Sequence, residues 1–454
     1  MSELSAADFE ALDSQREVQV ISRPSLSYWE DAWIRLKANR RALVSLYIVI
    51  GLLLFTVAGP WVWQVDPAVQ DIDQISQPPG TDRSAVIVSE SEPWFGTPDL
   101  PGQGLRLAEE ANSQAVRLQW DVLPGANGHR VYRNLFPVGS ELAYGVPLAE
   151  ILNNGTLYFE DRLDLKPGRY YYSVVALGPR GEISNQYETI SVDVERVTTV
   201  SEALERGLIT EADGIGVGDS VELAWHPLGT DYLGRDMLAR LMAGARVSLF
   251  IGIGAPFLFV LFGVVYGSAA GFIGGRIDQF MMRFADFVVA LPFLLFMILF
   301  KIAFGIGPGE SGVFPMLVAL VVLMWPATAR LVRGQILQIR EQGYISASQL
   351  LGAKTNYLIM RHMIPNTLGV VLVTVTFAIP SAIFTEAFLS FIGMGVAPPT
   401  PSWGSMSNEG IKTMLTTPHE LFFPALFISF TVLAFNLLGD GLRDALDARM
   451  RNVE

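Results

Sequence analysis

The residues able to do bond-making chemistry are few and scattered. The four histidines stand at 129, 226, 362 and 419, with no HExxH pair, and no serine sits in a GxSxG turn. Cysteine is absent, which removes a disulfide framework, a thiol nucleophile and a thiolate metal site. No GxxxxGK[ST] loop is present to cradle a nucleotide. The informative charges are instead those set against long apolar runs, where an ionised group is costly. Glu386 follows about twenty uncharged residues, placed either to face a polar pathway or to accept hydrogen bonds from the neighbouring SFIGMG segment. Asp278, Arg283 and Asp286 stand at the mouth of two such runs and read as an ion-pair cluster rather than as ligands. Transport or anchoring, not catalysis, is the chemistry these residues fit.

The elements that must position them are membrane spans. Half of the 454 residues are hydrophobic, mean hydropathy is +0.36 and 17% of residues are charged, against about 25% in soluble domains. The formal charge of −13 is uneven. Residues 66–231 hold 26 Asp/Glu against 11 Lys/Arg, so the rest of the chain carries +2. The acidity therefore belongs to one segment, which reads as a separate soluble insertion.

Residues 1–41 read as a polar cytoplasmic tail leading into an amphipathic basic stretch with Tyr28, Trp29, Trp33, Arg35, Lys37, Arg40 and Arg41. Residues 42–65 carry no charge and are long enough for a first transmembrane helix. Further uncharged runs begin at 247, 287, 311, 367 and 421. Basic clusters at 35–41, 276–283, 330–340 and 443–451 then fall on one side, which predicts six spans with both termini cytoplasmic. Pro292, Pro326 and Pro380 stand within the runs, where they permit kinks. The predicted class is an all-α polytopic membrane protein carrying an inserted β-sandwich. Its membrane core, with five further spans, covers 235–443, and 444–454 is a cytoplasmic tail.

The insertion, 66–234, lies on the extracytoplasmic side in this topology. Residues 66–104 are rich in Pro, Gly and Ser and read as a connection that is irregular or partly ordered. Val116, Leu118, Trp120 and Val122 alternate with polar residues, as do Tyr170, Tyr172, Val174 and Ala176, and turns separate the runs. Short alternating strands between turns predict a β-sandwich over 112–196. The Trp120, VYR and PGRYYYSVVA strands together resemble a fibronectin type III module, a binding or spacer domain that is seldom catalytic.

Between two apolar runs lies a polar, amphipathic stretch, GYISASQLLGAKTNYLIMRHMIPN at 343–366. Its spacing predicts a short helix, a break at Gly352 and a second helix, in a loop that cannot lie in hydrocarbon. Such a loop can be gripped by a cytoplasmic partner, or it is simply packed.

At this point four long motifs carry a resemblance: HPLGTDYLGRDMLARLMAGAR, RHMIPN, EAFLSFIGMGVAPPTPSWG and NLLGDGLRDALDAR. Residues 28–65 and 226–449 resemble the C-type permease subunit of dipeptide/oligopeptide/nickel ABC importers. The resemblance implies a second permease, two ATPase subunits that bind the ATP and Mg, and a solute-binding protein. It implies the lipid bilayer as surroundings, no nucleic acid, and no cofactor or metal in this chain. The loop at 341–366 is similar to the EAA coupling loop, with Ser346, Ala347, Ser348, Gly352, Ala353, His362 and Pro365 as ATPase-coupling candidates. Serine replaces the usual glutamate at 346 and the second alanine at 348; a charged contact there would fall to Glu341 or Lys354. A bulky charge at Gly352 is expected to separate the two coupling helices. Glu386, Ser390 and Trp403 are the pathway or gating candidates. Nickel or another small solute competes with peptides as cargo, and a receptor using the fibronectin-like module is the reading from another class.

Overall fold

The computed structural model describes residues 28–71, 74–98, 100–137, 145–152, 155–163, 165–180, 183–210, 214–304 and 311–446. Residues 1–27 of the expected tail, residues 305–310 beyond the run that begins at 287, and residues 447–454 of the expected C-terminal tail lie outside them.

The chain enters through α1 (Tyr28–Ala38) and α2 (Arg40–Val62). Asn39 separates them because its Oδ1 accepts from the backbone N–H of Arg41 and Ala42, at 3.2 and 3.3 Å, and so starts a new helix.

Between residues 84 and 222 the described strands are β1 (Ser84–Val88), β2 (Arg106–Leu107), β3 (Val116–Gln119), β4 (Gly128–Asn134), β5 (Ala149–Ile151), β6 (Tyr158–Asp161), β7 (Gly168–Leu177), β8 (Ile183–Val194) and β9 (Val197–Thr199), followed by helix α3 (Val200–Glu205) and β10 (Ser220–Glu222). A sheet ordered β2-β3-β6 and another ordered β5-β4-β7-β8 enclose Leu118, Trp120, Val131, Tyr172 and Val174. Within that core Asp161 accepts from Tyr172 Oη at 2.7 Å and from Arg133 Nη1 at 2.9 Å, so the buried carboxylate is paired. A third sheet, β10-β1-β9, brings order into 66–104 through β1. Strand β1 buries only Ala85 and Ile87, too short an alternation to register, and its partners return from beyond residue 196.

The remaining helices are α4 (Met237–Ile273), α5 (Gly275–Ala290), α6 (Phe293–Ala303), α7 (Val313–Arg340), α8 (Gly343–Leu350), α9 (Thr355–Leu358), α10 (Ile364–Phe391), α11 (Trp403–Gly410) and α12 (His419–Leu446). A π turn at Ile359–Met363 joins α9 to α10. Helices α2, α4, α7, the run Thr355–Phe391 and α12 are each long and apolar enough to cross a membrane. The expected third span differs. It is two helices, α5 and α6, meeting at 85° around Pro292, and only as a pair do they make a sixth span. Proline has no N–H to continue the α5 ladder, so the chain turns there and α6 begins on Phe293.

Helices α4 and α7 pack most closely, and the reason is on α4. Gly263, Gly267 and Gly271 recur every fourth residue, and a Cβ at Gly267 would stand 2.3 Å from the Ala329 carbonyl. Small residues at this spacing let two helix backbones approach. Alongside, Asp278 of α5 receives both Arg333 nitrogens at 2.5 Å, and Asp286 receives Arg330 at 2.7 Å. This corrects the expected cluster of Asp278, Arg283 and Asp286: both carboxylates pair with arginines of α7, and Arg283 is in no ion pair among the described residues.

Candidate functional site

Helix α7 runs out at Arg340, and α8 leaves it for solvent. Ile345 is fully buried against the core that also holds Ile336 and Met363, which pins one side of α8. Ser346 and Ala347 are exposed, and Ser348 turns its hydroxyl back to the Tyr344 carbonyl at 2.8 Å. The helix ends in a Schellman arrangement: Gly352 N–H reaches the Gln349 carbonyl at 2.9 Å, and Ala353 N–H the Ser348 carbonyl at 3.1 Å. Gly352 has φ +83°, the left-handed region that an L side chain avoids. No atom lies within 4 Å of a Cβ placed on it. The requirement for glycine is therefore conformational, which corrects the expectation of a clash between two coupling helices. At this tip Leu350 and Leu351 are 90% and 89% exposed.

The second helix of the segment is continuous with a span rather than separate from it. Pro365 sits at the start of α10 and donates no N–H, and the backbone absorbs this by a π turn in which Ile364 N–H returns to the Ile359 carbonyl. Asn366 Nδ2 supplies a donor to the His362 carbonyl at 2.5 Å, and the His362 ring lies edge-on to Tyr357 at 5.5 Å. The seven coupling candidates therefore share one protruding element, with Ser346, Ala347, Gly352 and Pro365 exposed and Ser348, Ala353 and His362 half-buried.

Glu386, Ser390 and Trp403 also come together, but inside the protein. Glu386 is 0% exposed and accepts from Ser248 and Ser390 hydroxyls, each at 2.8 Å. Ser390 in turn accepts from Val396 N–H at 3.1 Å, and Ser248 from Trp403 N–H at 3.3 Å. Trp403 Nε1 donates to the Leu241 carbonyl at 3.1 Å. Of the two roles left open for Glu386, the hydrogen bond from the SFIGMG segment is present at Ser390, its first residue and still within α10, and Ser248 of α4 adds a second. This network ties α4, α10 and α11 together.

A cavity of about 360 Å³ opens instead beside it, between α4, α7 and α10. Phe259, Met324 and Leu331 make it apolar, while Thr328, Thr374, Ser381 and Thr385 bring hydroxyls to its wall. Ser381 and Thr385 donate to carbonyls of their own helix, at 3.1 and 2.7 Å, so each presents oxygen lone pairs rather than a free donor.

At the opposite end from the coupling segment, the chain before α4 folds into a charged knot that the motifs concealed. Asp231 accepts from Arg235 Nε at 2.7 Å and from Arg240, and Glu409 of α11 accepts from Arg240 at 2.7 Å and Arg235 at 3.1 Å. Two carboxylates balance two guanidiniums, which is what burial of all four demands. The spacing of Asp231, Arg235 and Arg240 into a helix start was a readable signal; Glu409 was not. His226 Nδ1 lies 2.7 Å from Asp236, and Asp71 stands 4.0 Å from its Nε2. Burial opposes the charge on His226, but the hydrogen bond to Asp236 and the nearby Asp71 carboxylate outweigh it and lift its pKa to about 9. Asp71 is also bound by Arg206 at 3.1 Å, so one carboxylate joins the end of the insertion to the start of α4.

Two family models match this chain. Residues 263–452 match the binding-protein-dependent transport system inner membrane component, and residues 27–79 the N-terminal transmembrane domain of oligopeptide transport permease C. The chain belongs to this permease family. The oligopeptide transport system permease protein OppC of Bacillus subtilis is 49% identical over 226 residues, 50% of this chain and 72% of that protein. The dipeptide transport system permease protein DppC of the same organism is 49% identical over 227 residues, 50% of this chain and 69% of that one. The glutathione transport system permease protein GsiD of Escherichia coli is 40% identical over 239 residues, 53% and 76% of the two chains. The chain is thus a non-catalytic, multi-pass inner-membrane component of an ABC importer, a class that works with a partner permease, ATPases and a solute-binding protein. Most of the β-rich insertion falls outside both matched stretches.

Proposed function

We propose that this permease passes di- or oligopeptides across the inner membrane. The 49% identity to oligopeptide and dipeptide permeases carries the reading of the cargo. The cavity between α4, α7 and α10 is this chain's half of the pathway, and a second, different permease supplies the other half. Its walls suit a peptide, with apolar surface for side chains and hydroxyl oxygens for backbone N–H groups.

The tip at Leu350–Gly352 seats in a groove of a cytoplasmic ATPase. Two fully presented leucines on a helix anchored at Ile345 are the observation behind this assignment. No carboxylate stands at position 346, so the docking rests on shape and apolar area. ATP binding pulls α8, and the movement passes through Met363 and the π turn into α10, shifting the two-state equilibrium of the pathway. Both termini are then cytoplasmic, and residues 66–234 are extracytoplasmic.

The insertion is a fibronectin type III-like module that positions the loaded solute-binding protein. Its seven-strand, two-sheet arrangement supports the comparison. So does Tyr170, whose hydroxyl accepts from Lys166 N–H at 3.1 Å, as in the tyrosine corner of such sandwiches.

The test is purification of the tagged chain from native membranes in mild detergent, followed by mass spectrometry and peptide-stimulated ATPase assays. Recovery of a second permease and ATPase subunits, with hydrolysis stimulated by loaded binding protein, is expected. Recovery of envelope proteins without ATPases would favour a receptor instead. Deleting 105–200 should impair capture of the loaded binding protein; unchanged uptake would leave the insertion a spacer.

A further inference from the structure

Helix α5 carries a pattern that neither transport nor coupling uses. Arg276, Phe280, Arg283 and Phe287 follow one another at spacings of 4, 3 and 4 residues. At about 100° per residue these four fall within a roughly 60° arc, a single stripe about 16 Å long. All four are exposed, Phe280 and Phe287 by 74% and 61%. The carboxylates of α5 do not serve the stripe. Asp278 and Asp286 are held by Arg333 and Arg330, and neither Arg276 nor Arg283 is ion-paired among the described residues.

The stripe is placed at a membrane boundary. Arg276 stands three residues beyond Ile273, where the long apolar helix α4 ends. From there α5 climbs along α7, with Asp278 opposite Arg333 and the Phe284 ring 6.3 Å from Trp325. The Asp286–Arg330 pair, near the height of Arg283 and Phe287, is half exposed on both sides. An ion pair left open at that height needs polar headgroups around it, not hydrocarbon. The stripe also faces away from the cavity: Arg330 and Arg333 project about 100–160° around α7 from the row Leu320, Met324, Ala327 and Leu331 that lines it.

We propose that Arg276, Phe280, Arg283 and Phe287 bind an anionic phospholipid. The two guanidiniums take its phosphodiester headgroup, each able to offer paired N–H donors to phosphate oxygens. The two rings lie along the adjoining acyl chains, as aromatic side chains do at headgroup depth. Net charge decides for an anionic over a zwitterionic lipid, since the stripe adds two positive charges with no counter-ion among the described residues. The inference needs only that the chain sits in a bilayer, which the family establishes, and is independent of the cargo.

The assembled transporter is purified from native membranes in mild detergent, and its retained phospholipids are quantified. Arg276→Gln with Arg283→Gln should lower retained phosphatidylglycerol and cardiolipin, by about fivefold in affinity for each arginine removed. Arg276→Lys with Arg283→Lys should keep most of both lipids. Unchanged anionic lipid in the Gln variant overturns the proposal, and so does loss of a protein subunit with lipid content intact, since the stripe would then cover a protein. A second readout uses the unaltered complex, so that no variant need assemble. Photoactivatable phosphatidylglycerol should label residues 275–290 in preference to photoactivatable phosphatidylcholine. Equal labelling by both, or none there, overturns it as well.

Discussion

Arg246 of α4 donates its Nε to the Thr56 carbonyl of α2 at 3.2 Å. Thr56 lies four residues before Pro60, which has no N–H to return to it, so the arginine fills the bond that the proline leaves open. Arg246→Met should therefore strand a nearly buried carbonyl and destabilise the α2–α4 contact by about 1–3 kcal/mol. Pro60→Ala supplies the missing N–H, so Pro60→Ala with Arg246→Met should recover most of the loss. Thermal unfolding of the four proteins of this cycle in detergent measures it. A double variant no more stable than Arg246→Met alone would sink the assignment.

On the proposed coupling role, the backbone at Gly352 matters more than the space around it. Gly352→Val must hold an L side chain at φ +83°, at a cost of about 1–2 kcal/mol, and should unwind the end of α8. Peptide uptake should fall steeply while the amount of chain in the membrane stays unchanged. Gly352→Asn, which tolerates the left-handed region, should keep most of the uptake. Equal loss in both variants would point to the lack of a side chain rather than to φ.

The pKa of His226 makes a prediction for alkaline pH. Its folded value, about 9, lies above the unfolded value near 6.5, so the protonated ring stabilises the fold fully below about pH 6.5. That contribution, on the order of 2–3 kcal/mol, is lost as pH rises through about 9. The wild-type melting temperature should therefore drop between pH 7 and 9.5, and that of His226→Gln should be lower at pH 7 but nearly flat over the same range. A parallel drop in both proteins would exclude the histidine as its source.

His129 predicts the opposite sign in the insertion. It is fully buried edge-on to Trp120, at 5.7 Å, with no partner for either ring nitrogen among the described residues, and burial lowers its pKa. An unfolded imidazole takes up its proton first, so the sandwich should lose stability as pH falls below about 6.5. Limited proteolysis of the full chain at pH 5 should cut within 105–200 faster than at pH 7.5. His129→Phe should remove most of that difference, and its persistence would assign the acid sensitivity to other groups.

What could be read from the sequence alone were the local sums. Uncharged runs marked the spans because hydropathy adds along a helix, period-two alternation marked β3 and β7, and the glycine in a polar stretch marked the tip at Gly352. The long motifs carried the family. What only the tertiary structure decided was pairing between distant segments. Arg240 meets Glu409 169 residues away, and Glu386 meets Ser248 across 138, so their burial and pairing were invisible to local pattern. The 85° turn at Pro292 was equally hidden, because a proline permits a kink and the packing of α5 along α7 sets its size. The same holds for β1, whose two inward residues mean nothing until β9 and β10 return beside them. Composition and periodicity belong to single elements, whereas a cavity or a buried charge network exists only once several elements share one space.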